Sequence, residues 1–359
     1  MKPSEIRVEH LAEAMGLSIN AFWFFARNID NAYKPRRMRW DGKKHRPIDP
    51  LKPMAKKVLR RLHRFLQRNR LCHPAAHGGI KGRSCFTSAR VHLGARNVWT
   101  RDAKDCYPSI APEAMQKELQ ALSFRNDTSK ALVLLFTYRG AVPQGSPISG
   151  DALNIFFWRL DQLLASMAGS LKLGYSRSAD DFVFSGDDRD AGDQITACLE
   201  NELLNRGMKI NRKKKEESGH QTASDERLVH SIAVSRRRGT GVCRLHAREA
   251  LELCRIFVAA SRSVSANSIQ SVASKRATIQ GWLNYCRQAD FGPAKTVRQQ
   301  LEAGDRHVLR KLQSMDLSAK GNKWWYVNST QGRDEPRRLS ATWRAKQAKK
   351  SADLAGSNA

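Results

Sequence analysis

The stretch that decides the reading runs Gly174-Tyr175-Ser176-Arg177-Ser178-Ala179-Asp180-Asp181-Phe182-Val183-Phe184-Ser185-Gly186. Two strand-like segments, 171–177 and 182–185, flank a tight acidic turn. Adjacent aspartates at a hairpin tip commonly make nothing more than a polar turn. Here apolar strand residues on both sides carry the two like charges toward a buried place, where they repel unless a cation compensates them. A second acidic position lies upstream. Asp102 ends the strand-like run Asn97-Val98-Trp99-Thr100-Arg101 and precedes Ala103-Lys104-Asp105-Cys106-Tyr107-Pro108-Ser109-Ile110. Hard divalent cations need carboxylate oxygens, delivered from rigid strands so that the spacing holds. Asp102, Asp180 and Asp181 are the candidate ligands for a pair of such ions, the arrangement that drives phosphoryl transfer.

Outward from this centre, residues 96–217 alternate strand-like and helix-like segments. A strand at 97–102 is followed by helices over 112–122 and 151–168, the acidic hairpin, and a helix over 191–206. The pattern predicts an α+β fold with a largely antiparallel sheet. Before it, residues 4–28 are patterned as helix and 34–53 as a loop rich in Lys, Arg and Pro. A helix over 54–70 then carries Met54, Val58, Leu59, Leu62, Phe65 and Leu66 on one face. A glycine-rich loop, His77-Gly78-Gly79-Ile80-Lys81-Gly82-Arg83-Ser84, follows. From 246 the chain reads as mostly helical (246–260, 266–289, 293–314), a separate small bundle, and its basic end has the composition of a disordered tail.

The composition narrows the partners. The 359 residues carry 63 Lys and Arg against 34 Asp and Glu, a net charge of +29. Such an excess repels itself in a compact fold and calls for a polyanion. An anionic membrane surface is the competing partner, but the cations are spread along the whole chain rather than gathered on one amphipathic helix, which favours a long polymer. The seven cysteines are scattered with no Cys-x-x-Cys pair, neither a zinc pattern nor a disulfide framework, as in a reducing cytosol. The start, Met1-Lys2-Pro3-Ser4-Glu5, lacks signal-peptide architecture, and the longest apolar runs, 21–26 and 131–136, are too short to span a bilayer. The expectation is a soluble cytoplasmic protein with no membrane partner.

At these residues the chain resembles the reverse transcriptases, and the resemblance runs in order. Residues 100–110 resemble the first catalytic block, with a second aspartate three on from Asp102 and an aromatic five on. Val142-Pro143-Gln144-Gly145-Ser146-Pro147-Ile148-Ser149 is similar to the family's Pro-Gln-Gly block, and Asn154 and Leu160-Asp161 sit where bacterial members carry them. Residues 175–186 resemble the Tyr-x-Asp-Asp block, and Gly207-Met208-Lys209-Ile210-Asn211 with Lys213 and Lys214 the next one. Upstream, 77–84 looks like the His-Gly-Phe-x-x-Gly-Arg-Ser segment of retron and group II intron enzymes. Ser88-Ala89-Arg90-Val91-His92 resembles the Asn-Ala-x-x-His signature of retron enzymes.

The resemblance implies a right-hand polymerase fold. Helices and fingers would occupy 1–95, a catalytic palm 96–235, a helical thumb 236–316, and a basic tail 317–359. The implied activity is RNA-directed DNA synthesis with two Mg²⁺ ions, Mn²⁺ being a substitute. A structured noncoding RNA would serve as template and primer, dNTPs as substrates and DNA as product, in a retron or related antiphage defence system. An effector protein or a second copy of the chain are further partners it allows. Asp102, Asp180 and Asp181 would hold metal. Tyr107 would be the steric gate against a 2′-hydroxyl, with core packing as its rival role, while Gln144 and Gly145 would seat the nucleotide. Lys214 would protonate the leaving pyrophosphate, with Lys213 its rival. Arg46 would grip the triphosphate, with Lys43 and Lys44 as rivals. His77 and His92 would be structural or RNA-facing, and Trp324-Trp325-Tyr326 would stack on bases or anchor the tail.

Three places depart from the pattern: Ser178 stands for the usual Tyr, Ser88 for Asn, and the stretch near 229–234, where Val-Thr-Gly is expected, reads Val229-His230-Ser231-Ile232-Ala233-Val234. The intact aspartates argue against a non-catalytic, maturase-like RNA-binding protein. Tyr107 argues against an RNA-dependent RNA polymerase.

Overall fold

The computed structural model describes residues 1–40, 45–222 and 227–234, parts of 224–245, a helix at Ile269–Cys286 and scattered positions up to 310. The chain divides into two compact units, 1–244 and 245–359. In the second unit, the helix Ile269–Cys286 buries Ile279 and Leu283. The expected helix at 246–260, most of that at 293–314, and the tail with Trp324 to Tyr326 lie outside the described residues.

The first unit is built round one sheet. Strand β3 (Asn97–Lys104) runs antiparallel to β5 (Asp181–Gly186), which pairs in turn with β4 (Gly174–Ser178). On its other side β3 meets two short strands, β6 (Lys209–Ile210) and β7 (His220–Gln221). Alternation along the strands sorts side chains between the faces. Trp99, Tyr175, Arg177, Phe182 and Phe184 share one face and are all buried. Phe182 meets Phe157 edge-on at 5.3 Å. Burying each of the aromatic side chains among them contributes about 1.5–3 kcal/mol. Asp102 and Asp181 are direct cross-strand partners on the opposite face, so the period of two sends the acids away from the helical backing.

That backing consists of α7 (Ser149–Phe156), α8 (Trp158–Ser170) and α9 (Arg189–Asn205). The single helix expected over 151–168 is two, broken at Phe157. Asp188 caps α9 by accepting from the Ala191 amide at 3.1 Å. A further helical group joins α1 (Val8–Met15), α2 (Ile19–Arg27) and α3 (Pro53–Arg68), which precede the sheet, to α5 (Pro112–Ala121) and α6 (Asn126–Phe136), which follow β3, with the short α4 (Cys85–Arg90) between α3 and β3. The helix expected over 4–28 is likewise split, because Gly16 ends α1 at φ +73° and Ser18 caps α2. Apolar stripes on α1 and α3 join one core through Leu11, Met15, Leu59 and Leu62.

The segment expected to be a basic loop over 34–53 is in part a β-ribbon. Strand β1 (Arg37–Trp40) pairs antiparallel with β2 (His45–Ile48). Both faces of this ribbon meet solvent, so it carries no apolar alternation to read.

Candidate active site

The β4–β5 turn has two residues, Ala179 and Asp180, with Ala179 in the left-handed region at φ +55°. Two supports hold it there. His77 donates its amide to the Arg177 carbonyl at 2.6 Å, and Arg177 donates its own to Ala75 at 2.8 Å, so 75–77 runs beside β4. The next residue, Gly78, lies so close that a Cβ would sit 2.3 Å from the Ala179 nitrogen. Only glycine fits there. Beneath the turn, the Arg177 guanidinium donates to Asp161 at 2.8 and 2.6 Å, to the Ala179 carbonyl at 2.8 Å and to Asn154 Oδ1 at 3.3 Å. Asn154 closes the loop by donating to the Gly78 carbonyl at 3.0 Å.

On the turn's far face, one oxygen from each of Asp102, Asp180 and Asp181 comes together within 4.8 Å. Asp102 is buried, whereas Asp181 keeps 39% of its side chain exposed. Asn211 caps α10 (Arg212–Ser218), accepting from the Lys214 amide, and its Nδ2 donates to Asp102 Oδ1 at 3.0 Å. That cap delivers Lys214, whose Nζ donates to Asp102 Oδ2 at 2.5 Å and Asp181 Oδ1 at 3.2 Å. Its neighbours point elsewhere: Lys213 is 82% exposed and pairs with Glu217, while Lys215 donates to Glu200 on α9. Of the two rival lysines, only Lys214 reaches the carboxylates.

Burial raises the Asp180 carboxyl, as does the charge of Asp102, while Lys214 and Arg46 pull it back. Asp181 is pushed up to about 7, by burial first and then against the pull of Lys214 by the two neighbouring aspartates. Three hard oxygen donors that one lysine only partly compensates are a donor set that fits a divalent cation. Asp102, Asp180 and Asp181 are the residues that could hold it.

Of the remaining expected residues, Tyr107 and Arg46 lie near enough to Asp180 for its charge to be felt. Tyr107 opens a 3-10 turn after β3, and its phenol is pushed up to about 12 by burial and then by the charge of Asp180. The Gln144 carbonyl accepts from the Asp49 amide at 2.7 Å, tying the ribbon's base to the Pro-Gln-Gly segment. Gly145 has φ +120°, and a Cβ there would meet Ile48 Cγ2 at 2.9 Å. Arg46, on the ribbon, is near enough for its charge to act on Asp180; its rivals Lys43 and Lys44 lie outside the described residues. His92 is buried, with Nδ1 2.8 Å from Ser185 Oγ and Nε2 2.7 Å from Ser176 Oγ, and burial pushes it down to about 3. His77 Nδ1 lies 2.8 Å from Thr87 Oγ1.

The sequence reading missed two residues here. Arg177 gave no signal, because a cation inside a strand reads as exposed. His230 lies in the tight turn between β8 (Leu228–Val229) and β9 (Ile232–Ala233), where His230 and Ser231 have φ of +50° and +65°. Its Nδ1 is 3.9 Å from Asp181 Oδ2 and its Nε2 3.1 Å from Ser88 Oγ. It lines, with Asp102, Asp181, Val183 and Lys214, a cavity of about 350 Å³. Two of the three departures from the expected motifs, Ser88 and His230, therefore touch each other.

Residues 34–224 match the family described as Reverse transcriptase (RNA-dependent DNA polymerase), and the chain belongs to that family. Within it the similarity is to retron enzymes. The chain is 36% identical over 203 residues to the Retron Mx162 reverse transcriptase of Myxococcus xanthus, covering 49% of this chain and 41% of that protein. It is 25% identical over 247 residues to the Retron Ec86 reverse transcriptase of Escherichia coli, covering 68% of this chain and 71% of that one. The chain spans about half the length of the Myxococcus relatives it matches. Among solved structures, apo telomerase from Candida tropicalis aligns with 11% identity and a TM-score of 0.46, over 79% of this chain and 57% of that one. No described helix is long and apolar enough to cross a membrane.

Proposed function

We propose that the chain is an RNA-directed DNA polymerase that copies an associated noncoding RNA into DNA, in a retron or related antiphage defence system. The observation that carries this is the convergence of Asp102, Asp180 and Asp181 on one face of the sheet, bridged by Lys214. Bound there, Mg²⁺ or Mn²⁺ supplies charge neutralisation at the attacking and leaving oxygens. The chain's own residues do the rest. Arg46 grips the triphosphate, Gln144 orients the nucleotide, and Gly145 lets the backbone close on it. The Tyr107 ring lies against the sugar and excludes a 2′-hydroxyl. Lys214 gives the proton on Nζ to the departing pyrophosphate. In this reading 1–95 holds helices and fingers, 96–235 the palm, 236–316 the thumb and 317–359 the tail. The protein works in the cytoplasm, where an effector protein or a second copy of the chain could join the RNA.

The test is extension of a primer on an RNA template with dNTPs and Mg²⁺. Asp180→Asn and Asp181→Asn are expected to abolish extension while RNA binding persists. Full activity in the double Asn variant would reject the assignment.

A further inference from the structure

The β1–β2 ribbon has two unlike faces. Cross-strand partners share a face, and the register pairs Arg37 with Ile48, Met38 with Pro47, Arg39 with Arg46 and Trp40 with His45. One face therefore carries Arg37, Arg39, Arg46 and Ile48. The other carries Met38, Trp40, His45 and Pro47. The cationic face is the one turned to the active site: Ile48 packs over Gly145, and the charge of Arg46 acts on Asp180. The apolar face looks away. Trp40 is 56% and Met38 60% exposed, and the Trp40 and His45 rings lie 5.1 Å apart. The ribbon's base is fixed by the Arg36–Asp49 ion pair and the Asp49–Gln144 bond, so both faces are held in place.

Trp40 and Met38 leave a small apolar face exposed at this edge of the proposed active site. Four side chains fall far short of the roughly 800 Å² that each partner contributes to a stable protein interface, but they match one nucleobase. Arg37, Arg39 and Arg46 on the ribbon's other face add positive charge that attracts a nucleic-acid strand to this edge, in a chain whose net charge is +29. We propose that Trp40, with His45, stacks an unpaired base of the template strand ahead of the position being copied. The cationic face would hold the incoming triphosphate while the apolar face holds the strand that has still to enter. Stacking of this kind tolerates any base. The inference rests on the polymerase reading given above.

The experiment measures binding without added nucleotide, so it does not depend on catalysis. Affinity for an RNA template–DNA primer duplex with a four-nucleotide 5′ template overhang is compared with affinity for the same duplex cut flush. The wild type is expected to prefer the overhang about five- to a hundredfold, the range for one base on an aromatic ring. Trp40→Ala should lose that preference and Trp40→Phe keep most of it. In the wild type, an abasic nucleotide should remove the preference at one overhang position only. A preference that survives in Trp40→Ala, or an overhang in which every abasic position is tolerated, overturns the proposal. So does a Trp40→Ala variant that keeps the preference but changes its self-association, which would make this face a protein contact. Failure of the wild type to extend a primer would instead strike the polymerase reading, which this comparison leaves separate.

Discussion

Arg177 is a guanidinium with no exposed surface, three residues before Asp180, and its partner Asp161 is equally dry. An ion pair so desolvated is close to neutral against an apolar replacement, yet breaking it leaves a bare charge in the core. Asp161→Asn is expected to cost about 3–5 kcal/mol of unfolding free energy, read as a lower denaturant midpoint. A shift below about 1 kcal/mol would show that water reaches the pair. At Tyr107 the geometry makes a different demand. Removal of the ring in Tyr107→Ala should relax discrimination against ribonucleotides by roughly one to two orders of magnitude, the scale of a steric pocket difference. Competing dNTP and rNTP incorporation measures it, and unchanged discrimination would reduce the ring to packing. The acids were legible in the sequence because each stands at the end of a run of strand-forming residues, Asn97 to Arg101 and Gly174 to Ser178. Their supports were not. Arg177 reaches Asp161 and Asn154 on two different helices, a tertiary contact that no local pattern encodes.

At the scale of elements, α3 is latched to α7 through His63, whose Nδ1 lies 2.6 Å from Asp151 Oδ2, and through Gln67, which donates to Asp151 Oδ1 at 2.6 Å. Gln67 Oε1 also accepts the Lys81 amide, so the glycine-rich loop hangs from the same helix. The hydrogen bond to Asp151 raises His63 above its ordinary 6.5. Its contribution to stability is then fully present below about pH 6.5 and fades as pH climbs through the raised value. Melting temperature should therefore fall more steeply between about pH 6 and 8 in the wild type than in His63→Gln; equal slopes would mean that the imidazole stays neutral. Long helices such as α3 and α9 were legible because their apolar positions recur every three to four residues. The pairing of β1 with β2 was not, since exposed cations and Pro47 hide it. The break at Phe157 was equally silent, because Phe156, Phe157 and Trp158 continue the apolar pattern straight through it.

For the whole molecule, the net charge of +29 makes RNA affinity a matter of counterions released from phosphates. With on the order of six to ten phosphate contacts, affinity should drop about 10³- to 10⁵-fold between roughly 50 and 200 mM salt. Any basic protein shares that slope, so specificity decides. An RNA that copurifies with the protein should resist an unrelated competitor of equal length and similar fold at near-physiological salt. A random mixture displaced by either competitor would contradict a dedicated RNA. The most direct test of the central claim is single-nucleotide addition by the wild-type protein on RNA templates differing only in the templating base. The account predicts that, with Mg²⁺ present, only the complementary deoxynucleotide is added to each template, and that nothing is added without a divalent cation. Addition that ignores the templating base, or no addition on RNA at all, would contradict it.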